Sequence, residues 1–74
     1  LSETSKKKKG KEALEFFIIN TELYPNSSNV FDSYGECLLL IGKEKEGLAA
    51  YKRSLELDPK NMNADKILKK YNYN

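Results

Sequence analysis

The sequence predicts an all-α fold of about four antiparallel helices in helix-turn-helix repeats, on three observations. Leu23-Tyr24-Pro25 returns as Leu57-Asp58-Pro59 at an offset of 34, which also sets Leu14 over Leu48, Phe17 over Tyr51, Glu22 over Glu56 and Ala13 over Gly47. Apolar residues ahead of each proline recur at helical spacing: Leu14, Phe17, Ile18 and Thr21 in the first segment, Leu48, Tyr51 and Leu55 in the second. Strand signals are missing, since a long apolar run such as Leu38-Leu39-Leu40-Ile41 continues a helical pattern that starts at Phe31 and lacks flanking β-branched residues.

Residues 1–11 are a Lys-rich end or a remnant helix. Lys6, Lys7, Lys8, Lys9 and Lys11 stand there against Glu3 alone, and short lysine runs at a chain end are solvated and fray. Residues 12–24 form the first well-marked helix. It stops before Pro25, because proline lacks an N–H and disfavours the α conformation in the residue before it. Asn26-Ser27-Ser28 offers short polar caps for a second helix over about 29–41. Gly42 ends that helix by tolerating the left-handed conformation, and Lys43-Glu44-Lys45-Glu46 opens a third that runs to Pro59. Asn61 caps a last helix over about 62–71, with Ala64, Ile67, Leu68 and Tyr71 on one side.

Composition narrows the function. Seventy-four residues make one small domain and cannot house two cores. At 39% apolar and 32% charged, the chain falls in the globular range. No apolar run approaches the roughly 20 residues that span a bilayer, so membrane insertion is not expected. There is no histidine and one cysteine, which removes the commonest general base, any internal disulfide and any cysteine-based zinc site. No metal or cofactor is expected. Asp32 and Glu36 are a carboxylate pair, but nothing evident would separate their pKa values for acid–base work. Cys37 lacks a histidine to activate it and reads as a small buried apolar residue. Nucleic acid is not expected either, because the cations cluster at one end without interleaved aromatics and Arg53 is the only arginine.

Packing can also be read from residue size. Helix axes approach within roughly 8–10 Å only where facing residues are small, so Gly35, Gly47, Ala50 and Ser54 read as contact points that receive Phe31, Tyr34, Leu38 and Tyr51. Replacing Gly35 by Leu should overpack this hairpin by roughly 1–3 kcal/mol. Leu14, Phe16, Phe17, Ile18 and Ile19 surround most of the first helix with apolar side chains, more than one neighbour can cover. The remainder calls for another occupant: Leu1 and anything before it folding back, a parent domain, or a second copy of the chain. A start at Leu inside an apparent repeat points to an excised fragment.

With Phe31, Tyr34-Gly35, Leu38, Gly42, Tyr51, Ser54-Leu55 and the ending Leu55-Glu56-Leu57-Asp58-Pro59, residues 28–60 resemble a tetratricopeptide repeat, a helix-turn-helix unit of 34 residues. Residues 12–27 resemble the second helix of a preceding repeat, and 61–72 the capping helix that closes such arrays. Gly47 departs from the family, which usually has Ala there. The resemblance implies a protein-interaction module, not an enzyme, that binds an extended peptide or a helix on a concave face lined by the first helix of each repeat. Carried over by position, that lining is Asn29, Asp32, Glu36, Leu39 and Leu40, joined by Asn63, Lys66 and Lys70. Members that clamp a C-terminal carboxylate use Lys, Asn and Arg at these places; Asp32 and Glu36 have the opposite sign, so a basic or mixed-charge partner is the expectation.

The chain from Ala13-Leu14-Glu15-Phe16-Phe17 through Leu-Asp-Pro also resembles the C-terminal appendages of some bacterial serine hydrolases and esterases. That resemblance implies an alternative of another class, a regulatory or assembly appendage that packs on its parent domain, or dimerises, through the first helix. The two readings differ in the surface that matters. Release of a parent domain or dimer by Phe16→Asp, with association intact in Glu36→Lys, would favour the appendage. A lone cysteine fits a reducing cytoplasm and a periplasm equally.

Overall fold

The computed structural model describes residues 2–73, with side chains from residue 12 onward. Among the described residues the chain is helical without strands: α1 (Ser2–Leu23), α2 (Ser28–Leu40), α3 (Glu44–Leu57) and α4 (Met62–Lys70). Connections of three or four residues turn each helix back beside the one before it. The most extensive packing is α2 on α3, flanked by α1 on α2 and α3 on α4.

α1 begins well before residue 12, so the Lys-rich stretch prolongs it instead of forming a separate element. Lysine is a good helix former, and no proline intervenes. The expected solvation of those lysines, and any folding back of Leu1, lie outside the described side chains and residues.

The 34-residue offset reappears as hydrogen bonds. At the exit of α1 the Tyr24 N–H donates to the Asn20 carbonyl (2.8 Å) and the Ser27 N–H to the Tyr24 carbonyl (3.1 Å); at the exit of α3 the Asp58 N–H donates to Ser54 (2.9 Å) and the Asn61 N–H to Asp58 (2.9 Å). The caps that follow match as well. Ser27 Oγ accepts from the Val30 N–H at 3.4 Å, and Asn61 Oδ1 accepts from the Ala64 N–H at 3.2 Å. Both satisfy an amide that the first helical turn leaves without a partner.

The two C-termini also share one device, but at an offset of 30. Gly42, with φ of 87°, and Asn72, with φ of 55°, are left-handed. After α2 the Lys43 N–H reaches back to the Leu38 carbonyl (2.8 Å) and Gly42 to Leu39 (3.2 Å); after α4 the Tyr73 N–H reaches Leu68 (2.9 Å) and Asn72 reaches Lys69 (3.1 Å). These are Schellman closures, which satisfy the last carbonyls of each helix. The change of offset means that α4 stops one turn short of its counterpart α2.

The core lies along α3. Leu48 and Tyr51 bury against Ala64 and Leu68 of α4, with Leu39, Leu55, Ile67 and Tyr73 packed around them. Tyr73 is thereby part of the core margin, and Lys52 stands over its ring at 6.0 Å. All four small residues singled out by size, Gly35, Gly47, Ala50 and Ser54, are buried.

Candidate functional site: a groove between α2 and α4

Asn61 joins three helices. Its amide donates to Ser54 Oγ of α3 at 2.8 Å and to Asp32 Oδ2 of α2 at 3.1 Å, while its own oxygen caps α4. Beside it, Ser54 and Ser28 exchange hydrogen bonds: the Ser54 hydroxyl donates to the Ser28 carbonyl at 2.7 Å, and the Ser28 hydroxyl to the Ser54 carbonyl at 3.0 Å. Ser54 is fully buried, and no buried side-chain polar atom among the described residues lacks a partner. A satisfied network of this kind fixes relative helix position, since each broken bond leaves a desolvated group. The Asp32 carboxylate also receives the Asn63 amide, at 3.1 Å to Oδ2.

This clasp holds α2 and α4 on either side of an open groove of about 430 Å³. Glu36, Leu39 and Leu40 line it from α2; Asn63, Ile67 and Lys70 line it from α4, and Tyr51 and Tyr71 complete it. Leu40 is 80% exposed although apolar. One wall therefore bears a carboxylate and the other an ammonium, with aliphatic side chains between them. Burial, then the negative Asp32 and Glu36, then Tyr71, push the Tyr51 phenol up to about 12, so it stays neutral and adds no charge to the groove.

Of the residues expected to line a binding face, Glu36, Leu39, Leu40 and Lys70 share this groove, and Asn63 joins them. Asp32 lies at its edge, committed to the two asparagine amides. Lys66 is exposed on α4 but does not line the groove. Asn29 lies elsewhere, in a groove of about 260 Å³ between α1 and α2, with Phe17, Asn20, Tyr24, Val30 and Ser33. The two grooves correspond: Phe17, Asn29 and Ser33 precede Tyr51, Asn63 and Ile67 by 34 residues.

Sequence reasoning assigned Tyr51 to the core and missed its second role in the groove. It also missed Ile67, although a residue four after Asn63 and three before Lys70 shares their helical face.

Cys37 is buried, and burial raises its thiol above the usual range. Among the described residues there is no cluster of three or more His, Cys, Asp or Glu side chains that could hold a metal ion. No described helix is long and apolar enough to cross a membrane. Compared with known proteins, the chain matches no family model, no curated protein and no solved structure.

Proposed function

We propose that this chain is a protein-interaction module of tetratricopeptide type, which takes up a peptide or helix of another protein in the groove between α2 and α4. The observation that carries this reading is the convergence of Glu36, Leu39 and Leu40 with Asn63 and Lys70 across one open groove. The exposed Leu40 beside opposite charges suits a ligand with an apolar anchor and both signs of charge around it. The 34-residue recurrence of caps and turn hydrogen bonds supports the repeat assignment.

Selection from a random peptide library displayed on phage tests this. Enriched peptides should carry an apolar residue flanked by an acid and a base, and Leu40→Asp should weaken them about tenfold or more. Phe16→Asp, on the far side of the molecule's first helix, should leave them unchanged. Peptides that ignore Leu40→Asp and Glu36→Lys would refute groove binding.

A further inference from the structure

The groove between α2 and α4 is closed between the helices at one end and open at the other. At the closed end the Asp32 carboxylate accepts the Asn63 amide at 3.1 Å, reinforced by the Asn61 amide at 3.1 Å. α2 and α4 run the same way, because each connection turns the chain back once. Counted on from the Asp32–Asn63 contact by one helical turn, Glu36 faces Ile67; a further turn on, Leu39 and Leu40 face Lys70 and Tyr71.

Charge is unequal along this length. Asp32 and Glu36 stand toward the closed end, and their field reaches the floor of the groove: after burial, they are what raises the Tyr51 phenol. Lys70 lies three residues past the level of Glu36, about 4.5 Å further along the axis at 1.5 Å per residue. Neither Glu36 nor Lys70 belongs to an ion pair among the described residues, so both charges face the groove without a protein counter-ion. The partial negative charge at the C-termini of α2 and α4 opposes Lys70 at the open end. Schellman closures occupy the last carbonyls of both helices, however, and the ammonium remains the full charge there.

We propose that the groove fixes the order of charges in its peptide ligand: a lysine or arginine lies toward the closed end at Glu36, an apolar side chain packs over Leu40 and Ile67, and a carboxylate lies toward the open end at Lys70. The inference rests on groove binding as proposed above and adds that Glu36 and Lys70 set specificity. A peptide with its base and acid exchanged would set like charges together at both ends. The ligand's two charges are about two to four residues apart, since an extended chain rises about 3.3 Å per residue and the side chains that meet are long.

Parallel selections from the displayed random library test this, one on the parent chain and one on the double variant Glu36→Lys/Lys70→Glu, in which both substituted positions are exposed and helicity is checked by circular dichroism. Parent-selected peptides that depend on Leu40 should share one order of base and acid along the peptide, and those selected by the double variant should share the reverse order. A synthetic copy of the best parent peptide with its base and acid exchanged should bind the parent about fivefold or more weakly and recover that loss on the double variant. Leu40-dependent peptides with no fixed order, or an order that the double substitution leaves unchanged, overturn this inference and leave groove binding standing. Peptides that ignore Leu40→Asp overturn groove binding itself, and the charge order with it.

Discussion

Gly35 and Gly47 meet backbone to backbone where α2 crosses α3. A Cβ on Gly35 would lie 2.9 Å from the Gly47 carbonyl oxygen and 2.8 Å from the Tyr51 ring, and a Cβ on Gly47 would lie 3.0 Å from the Gly35 carbonyl oxygen. Alanine in a helix interior gains about 1 kcal/mol over glycine, so the two substitutions set propensity against space. At Gly35 the obstacles are a backbone oxygen and a buried ring, and Gly35→Ala should lower stability by about 1–2 kcal/mol net. At Gly47 the closest side chain is Leu39, which can yield, and Gly47→Ala should change stability by less than about 1 kcal/mol. Urea denaturation followed by circular dichroism checks both. A Gly35→Ala chain as stable as the parent would mean that the crossing of α2 and α3 accommodates a methyl group there.

Ser54 and Asn61 are expected to be the costliest polar residues. Removing the Ser54 hydroxyl leaves the Ser28 carbonyl without the hydroxyl it accepts from and deprives the Asn61 amide of an acceptor, for a loss of about 1–3 kcal/mol. Asn61→Ala should cost at least as much, because it also removes the cap on α4, which by itself contributes about 1 kcal/mol. Ser27→Ala, which removes only a cap with a 3.4 Å bond, should cost less than either. Equal midpoints for all three variants in thermal melts would contradict the network.

The two left-handed residues provide a test confined to the backbone. Nothing lies within 4 Å of a Cβ built on Gly42, so Gly42→Ala meets only the penalty of the left-handed conformation, about 1–2 kcal/mol. Asn72 already carries part of that penalty, and Asn72→Gly should stabilise the chain by a few tenths of a kcal/mol. Melts that shift in these opposite directions would support both Schellman closures.

What was legible in the sequence was local. Pro25, Pro59, Ser27, Asn61 and Gly42 each act on their own neighbours, so helix ends came out within a residue or two. The continuous α1 did not, because lysines and glycine carry no apolar period to reveal a helix. Asp32 shares a helical face with Glu36 and so read as part of the binding lining. Its partners Asn61 and Asn63 are 29 and 31 residues away, and no periodicity reports a contact at that range. Asn29 went astray for a geometric reason: it sits on the side of α2 that turns toward α1, so it lines the other groove. Asn72 as a helix terminator was missed for want of a glycine.

Alkaline pH should destabilise the fold through Tyr51. Its folded pKa of about 12 lies above the ordinary value of about 10. Between those values the unfolded chain has released the proton and the folded chain still holds it. The unfolded state therefore binds fewer protons, and stability falls as pH rises through that window. The loss is of the order of 2 kcal/mol. Lysines titrate in the same range, so the informative quantity is the difference between the parent and Tyr51→Phe, measured by urea denaturation on both sides of the window. The variant should show the smaller pH dependence; identical slopes would mean that the phenol ionises as readily folded as unfolded.

Asp32 and Glu36 lie one turn apart on α2, yet the structure assigns them different work. The Asp32 carboxylate is half-buried and receives the amides of Asn61 and Asn63, so Asp32→Ala should cost about 1.5–3 kcal/mol of stability, the range for hydrogen bonds to a charged group. Glu36 is exposed, makes no ion pair among those described, and lines the groove. Glu36→Ala should stay within about 0.5 kcal/mol of the parent. Binding of a groove peptide should reverse the ranking. Under conditions where both variants are fully folded, Glu36→Ala should weaken a peptide whose basic residue faces α2, whereas Asp32→Ala acts on affinity only by loosening Asn63. Denaturation and calorimetric titration on the same two variants separate the effects. If Asp32→Ala proved neutral in stability and the more damaging to binding, Asp32 would be a contact residue and the clasp with Asn61 and Asn63 would not be what positions α4 against α2.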